Sequence, residues 1–368
     1  EKSYNTNIGI DAAFLNNRID VSMEYYNTKT KDVIWNKALP VINGAFSPDG
    51  GPKANYTTNL NMCETSNKGF ELALNTRNII TKNFTWSSSV TFNHNKEKIT
   101  KLSGGDSDVL NNGDTGYALA LGEAINSYYH YKLDGVWQKG EETDAAVFGA
   151  APGDLKINIP NLVKESDGRF YKIDEETGSA AVDENGNVIY YTSDNKYTPS
   201  DADYQILGHN SPDWSLGFQN NFTWKDFDLS VFVYARYGQM FAYDMLTSYD
   251  PKGIRNFPTY FNYWTENNPS NDFPAANANK GLEQYTGYYA LRYVDGSFIK
   301  IKNITLGYSL PKSILKSAGI AQCRFYATIT NPFVFAKSHL LKDYDPEMNG
   351  SLKYPLTKQF VFGVNVTF

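Results

Sequence analysis

A two-residue alternation of apolar and polar side chains recurs along most of this chain, and it constrains the fold more than any other feature. Phe227, Leu229, Val231 and Val233 alternate with Asp228 and Ser230. Ile8, Ile10, Ala12 and Phe14 alternate with Asn7, Gly9 and Asp11, and Ile19, Val21, Met23 and Tyr25 with Asp20, Ser22 and Glu24. The same beat runs through Phe70, Leu72 and Leu74, through Trp86, Val90 and Phe92, and through Cys323, Phe325, Ala327 and Ile329. Successive side chains of a strand point to opposite faces, so each segment predicts a strand with one oily and one polar face. Helical periodicity is nearly absent; "PKSILKSAGI" (311–320) is the one short helix-like connector. The stretch "SFIKIKNITLGYSL" changes phase near Asn303, which predicts a bulge or an interfacial lysine pair.

A strand with one apolar face fits a soluble sandwich as well as a membrane barrel. Mean hydropathy is −0.48, and no run approaches the roughly 18–20 apolar residues of a spanning helix. That does not exclude a barrel, because alternating strands average out. Two features favour the barrel. The second face is polar almost everywhere, as in a water-filled lumen. The connections also alternate in length: "LNNR" (15–18), "NIITKN" (78–83) and "KD" (225–226) are short, whereas 32–66, 98–124, 137–212, 238–294 and 334–357 are long and polar. Short turns on one rim and long loops on the other is the outer-membrane arrangement. The expected fold is therefore all-β: an antiparallel transmembrane β-barrel fragment.

If the short turns share a rim, the first strand and the last run the same way, which predicts an odd count of about 9–11 strands. The uncertain stretch is 125–212, where "SYYHYKLDGVWQ" needs a returning partner such as "DLKINI" or "DYQILG". An odd, open sheet leaves edges that hydrocarbon does not tolerate. The chain also starts inside what reads as a strand. It is accordingly read as the C-terminal part of a larger barrel.

Composition narrows the functional classes. The net charge is −6 and no basic patch stands out, which argues against nucleic-acid binding. Cys63 and Cys323 are far apart, and His94, His130, His209 and His339 are scattered, so no metal site is expected. The acid pairs Glu141–Glu142 and Glu175–Glu176 lack the spacing of a glycosidase pair, and nucleophile, zinc-protease and phosphate-loop motifs are missing. No catalytic residues are assigned, and the protein is not expected to be an enzyme. The distinctive number is 15% aromatic residues, including 27 tyrosines.

Several blocks in order resemble one family. They are "NIGIDAAFLNNRIDVSMEYYNTKTKDVIW" (7–35), "NKGFELALNTR" (67–77) with "FTWSSSVTFNHNKEKITKL" (84–102), "YYHYKLDGVWQ" (128–138), "APGDLKIN" (151–158), "ILGHNSPDWSLGFQNNFTWKDFDLSVFVYARYG" (206–238), "SFIKIKNITLGYSLPKS" (297–313) and "NPFVFAKSHLLKDYDPEMNG…YPLTKQFVFGVNVTF" (331–368). Together they resemble the SusC/RagA TonB-dependent transporters of Bacteroidetes, over essentially the whole chain. The resemblance implies a bacterial outer-membrane barrel of about 22 strands. It implies a plug and TonB-contacting segment absent from this chain, and a SusD-like surface lipoprotein as lid. It also implies import of a nutrient, an oligosaccharide more often than a peptide, driven through TonB. Members often carry a calcium-like "D-x-N-G-D-G" stretch after "PGD". Here "DENGN" (183–187) departs from it and reads as a hairpin turn rather than a calcium loop, so no cofactor is expected.

Candidate ligand-binding residues are loop aromatics: Tyr260, Phe261, Tyr263 and Trp264 in "PTYFNYW", with Tyr285, Tyr288, Tyr289 and Arg292 in "QYTGYYALRY". Aromatic faces suit the C–H face of a sugar ring. They equally suit packing of loops on one another or on a lid, or an interfacial girdle. Tyr128, Tyr129 and Trp137, near strand ends, are read as girdle. Phe360, Phe362, Val364, Val366 and Phe368 of the last strand should face lipid, pair with the rest of the same barrel and serve its closure and assembly. Three competing classes remain open: a secreted all-β glycan-binding module, an outer-membrane adhesin and a passive porin.

Overall fold

The computed structural model describes residues 1–38, 57–102, 109–112, 117–248, 252, 258–316 and 319–368. One nine-stranded antiparallel sheet dominates it. Its strands are β1 (Lys2–Phe14), β2 (Ile19–Ala38), β3 (Thr57–Ile80), β4 (Phe84–Leu102), β5 (Trp214–Trp224), β6 (Phe227–Tyr237), β7 (Phe298–Ser309), β8 (Gln322–Ala336) and β9 (Gln359–Thr367). Each pairs with the one before and the one after, so β1 and β9 are the edges of this sheet. The count is odd, at the lower of the expected values.

Short turns gather on one rim. Leu15, Asn16 and Asn17 (φ 54, 55 and 59°) close the β1–β2 turn, and Lys225 (φ 53°) closes β5–β6. The left-handed region suits asparagine in such tight turns. Arg18 ties two of these turns together, its Nη2 donating to the Asn78 carbonyl at 2.8 Å. The short helix Lys312–Leu315 closes β7–β8 on the same side.

The register carries the expected alternation across the whole sheet. One row runs Ile10, Met23, Leu72, Phe92, Leu216, Ala235, Ile299, Phe335 from β1 to β8. The next runs Ala12, Val21, Leu74, Val90, Phe218, Val233, Ile301, Phe333. This apolar face is uncovered: Ile8, Ile10, Ile299, Phe335 and Phe362 are all more than half exposed. An exposed apolar patch of such extent marks a membrane or interaction surface. Aromatics edge it at both rims. Trp214 stacks on Phe92 (6.1 Å) and Tyr237 (5.5 Å) at the long-loop rim. Trp224, Phe227 and Tyr308 form a row at the short-turn rim.

The phase change near Asn303 is a bulge at Lys302, which both neighbouring strands skip. Two expectations need correction. The long loop expected over 32–66 is strand at both ends, because β2 continues to Ala38 and β3 begins at Thr57; residues 39–56 lie outside the described residues. Polar sequence is not loop here: Thr28, Thr30, Val33, Thr57 and Thr58 are β-branched and pair well beyond the apolar band. In 98–124 strand also persists to Leu102, while 103–108 and 113–116 lie outside the described residues. The stretch "SYYHYKLDGVWQ" takes both expected partners, residues 127–130 pairing with 205–209 and 132–136 with 155–158, in small sheets apart from the main one. The helix Glu142–Val147 lies outside the expectations altogether. Cys63 and Cys323 are buried, unoxidised strand residues of β3 and β8.

Candidate cargo cap and lumen

The long connections fold into a cap with its own core. Val136, Leu155, Phe241, Tyr243, Leu246, Phe273, Val294 and Leu341 cluster there, contributed by three different long loops. Four of the predicted ligand aromatics are part of it: Phe261, Trp264, Tyr285 and Tyr288 are each no more than 8% exposed. Phe261 stacks on Phe273 at 4.2 Å, the Trp264 indole donates to Gln138 Oε1 at 2.9 Å, and the Tyr285 hydroxyl donates to the Ala275 carbonyl at 3.1 Å. These side chains are committed to packing the loops. Tyr260 packs at the edge of the same core. Arg292 lies 3.4 Å from Asp244 and over the Tyr293 ring. Tyr263 is 41% exposed, and Tyr289 is 53% exposed with its ring edge-on to Tyr288 at 6.3 Å.

Tyr128, Tyr129 and Trp137 are cap residues, which corrects the girdle expectation. Tyr128 is buried between Tyr117 (4.8 Å) and Tyr293 (5.0 Å), and Tyr129 sits against Tyr204. Trp137 is buried against Phe148, with Lys156 Nζ 4.4 Å over its ring. Burial pushes the Tyr128 and Tyr204 phenols well above their ordinary value. Burial also lowers His130, helped by the Arg292 charge. In sequence these rings adjoin strands of the small sheets, which are not membrane strands.

Two buried ionic knots were not anticipated. Asp203, fully buried, accepts from Lys172 Nζ and the Tyr197 hydroxyl, each at 2.6 Å, and from the Ser200 amide at 2.9 Å. It ties Lys172, at the end of the strand Phe170–Lys172, to the segment 197–203. Burial raises its carboxyl, but the Lys172 and Tyr197 hydrogen bonds outweigh that and hold it below the usual range. Burial carries Tyr197 up to about 12. The second knot joins cap to wall. Lys300 of β7, 0% exposed, donates to Asp345 Oδ2 at 2.5 Å and Glu347 Oε2 at 2.9 Å, while Lys302 reaches Glu347 Oε1 at 2.6 Å. The bulge aims both lysines at the segment 345–347. Two features of the sequence mark this knot: two lysines at the phase change, and the acids in "DYDPEMNG".

The polar face of the sheet is lined across β4 and β5 by Thr85, Ser87, Ser89, Thr91, Asn93, Gln219, Asn221 and Thr223. On this face Arg324 holds Asp228 bidentately (2.8 and 2.6 Å), and the Asn93 amide donates to Glu71 at 3.0 Å. Two tyrosines lie flat over glycines of the adjacent strand. A Cβ on Gly69 would come within 2.2 Å of the Tyr26 ring, and one on Gly363 within 2.3 Å of Tyr326. The rings thus hug the wall and keep the interior open. On β9, Phe360, Phe362, Val364 and Val366 lie on the opposite, outward face, 42–81% exposed, and Phe368, one residue past the strand, is 89% exposed. "DENGN" is a hairpin turn, with the Asp183 side chain capping the amides of Asn185 and Asn187.

Residues 1–149 match the family model described as TonB dependent receptor-like, beta-barrel. Over its whole length the chain is 28% identical to TonB-dependent receptor P3 of Formosa agariphila, of which it covers 34%. It is 27% identical to TonB-dependent receptor SusC of Bacteroides thetaiotaomicron, covering 32%. All of it superposes on 35% of the solved structure of the RagAB peptide transporter, with TM-score 0.70 and 24% identity, which shows a shared fold. The chain therefore spans about a third of the length of the relatives it matches.

Proposed function

We propose, from the premise that this chain is an outer-membrane β-barrel segment of the SusC/RagA type of TonB-dependent receptor, that it serves as wall, lumen lining and cap of a nutrient importer. The open edges of β1 and β9 would pair with further strands of the same barrel, and the plug and TonB-contacting segment would come from outside this chain. Its own work is geometric rather than catalytic. A SusD-like lipoprotein would sit over the cap as a lid.

The cargo we favour is an oligosaccharide. The observation that carries this is the lumen face of β4 from Thr85 to Asn93 and of β5 from Gln219 to Thr223, where every polar side chain is a hydroxyl or an amide and none is charged. Neutral donors and acceptors in alternation match sugar hydroxyls. A peptide would also need partners for its termini and charged side chains. Of the candidate loop aromatics, Tyr263 and Tyr289 are the two exposed ones, and they are the ones we assign to contact with a sugar ring, while the buried four act by holding the loops. The test is growth of a strain lacking the full-length gene on single glycans and on defined peptides as sole nutrient. Loss of growth on one glycan class supports the reading. Loss confined to peptides overturns the cargo assignment and leaves the importer intact. Tyr263→Ala with Tyr289→Ala should weaken cargo binding about 10-fold without changing the amount of assembled barrel.

A further inference from the structure

We propose that the outward face of β1–β4, just above the apolar band at the long-loop rim, binds the phosphate groups of outer-leaflet lipid. The proposal rests on the membrane-barrel reading above. Lys2, Lys29, Lys31, Lys68, Lys96 and Lys98 are all exposed and share the face that carries Ile10, Met23, Leu72 and Phe92. They do not face the lumen, so cargo in transit does not meet them.

Their depth follows from the strands. A transmembrane strand needs about 9–11 residues from rim to rim. About 10 residues up from its turn, β6 reaches Tyr237 and β5 reaches Trp214, the aromatic girdle already described. The same count from the turns of β1–β4 arrives near Tyr4, Lys29, Phe70 and His94. The lysines therefore lie at the hydrocarbon edge or within one or two outward positions above it. That is headgroup depth on all four strands.

Pairing then packs like charge together. Lys68 stands directly opposite Lys96, and Lys2 opposite Lys31. Lys29 and Lys98 flank Ser66 in one cross-strand row. Like charges directly opposite each other destabilise a sheet. Of the nearby glutamates of these strands, Glu24, Glu71 and Glu97 fall on the other face, and Glu64 lies 3.8 Å from Lys101 rather than against these lysines. None of Lys29, Lys68, Lys96 and Lys98 has an ion-pair partner among the described residues. Between them lies a shallow groove of about 350 Å³ lined by Tyr25, Lys68, Phe70, His94, Lys96 and Lys98. Its floor is apolar and its upper wall cationic, which complements a molecule with acyl chains below and phosphate above. Snorkelling alone accounts for single rim lysines, not for opposed pairs.

The test uses the full-length transporter, purified in detergent and exchanged with phosphorylated lipid A, with the same lipid after enzymatic dephosphorylation, or with inorganic phosphate. Native mass spectrometry counts retained lipid. Wild type should hold the phosphorylated lipid roughly 100-fold more tightly than the triple variant Lys68→Gln, Lys96→Gln, Lys98→Gln. Half-molar salt should abolish the difference. The triple Lys→Arg variant should bind as wild type does. Equal retention by wild type and the Gln variant overturns the proposal, as does equal retention of the dephosphorylated lipid. Competition by inorganic phosphate at millimolar level also overturns it, because the site would then be one for free phosphate. Heat-modifiable gel mobility confirms that each variant is folded. Fractionation of wild type with the outer membrane tests the barrel reading separately, so a correctly localised protein that ignores the lipid strikes this proposal alone.

Discussion

Lys300 is the residue whose surroundings leave it least choice. It is fully buried, and Asp345 and Glu347 are its two acceptors. Lys300→Ala removes the cation and leaves two carboxylates with little exposure, so it should cost about 3–5 kcal/mol of cap stability. Lys302 is more exposed and shares only Glu347, so Lys302→Ala should cost well under half as much. Protease cleavage rates of the long loops in the assembled protein would measure both. Gly350 provides an independent check at the same contact. Its φ is +82°, and a Cβ would fall 2.0 Å from the Ala242 carbonyl oxygen, so Gly350→Ala should loosen the same segment. The knot also sets a pH dependence. Burial raises the Glu347 carboxyl, but the hydrogen bonds from Lys302 and then Lys300 outweigh it, and its folded value sits below the ordinary 4.5. A depressed carboxylate stabilises the fold above its unfolded value and loses that contribution as pH falls through the folded one. Cap protection should therefore be constant from neutral pH to about 5 and decline below about 4.5. Protection that weakens between pH 8 and 6 instead would point to a different group.

At the scale of the element, β9 shows how much the sequence reveals. Its alternation assigns both faces from the residues alone, and the register with β8 agrees from Phe360 to Val366. Phe362→Lys should reduce assembled barrel through a cost of about 2–4 kcal/mol at mid-membrane, whereas Asn365→Lys on the lumen face should be tolerated. Deleting Phe368 should lower the amount assembled more than the transport per assembled molecule. Heat-modifiable gel mobility reads the assembled fraction, and equal losses for Phe362→Lys and Asn365→Lys would remove the face assignment. The strand period is legible because it is local. What is not legible depends on pairing. The extension of β2 and β3 past the apolar band carries no apolar beat, only β-branched residues. The burial of Phe261, Trp264, Tyr285 and Tyr288 depends on which loops meet. The lysine belt is invisible in the sequence because Lys29, Lys68 and Lys96 are distant in a chain of net charge −6 and become neighbours only through register.

For the whole molecule, the central claim is that one continuous sheet separates lipid from a polar interior, with a structured cap at one rim. Exposed apolar rows, aromatic belts at both rims, a hydroxyl- and amide-lined inner face and short turns on a single side all follow from it. A soluble sandwich would need a second layer against the rows through Met23, Phe92 and Leu216, and the described residues hold the cap over the other face and rim. The most direct measurement places single cysteines along β6 of the full-length protein in intact outer membranes and probes them with a membrane-impermeant maleimide. Ser230, Phe232 and Tyr234 should label, and Leu229, Val231 and Val233 should stay protected until detergent is added. Uniform labelling along β6, or labelling of Leu229, Val231 and Val233 in place of their neighbours, would contradict the account.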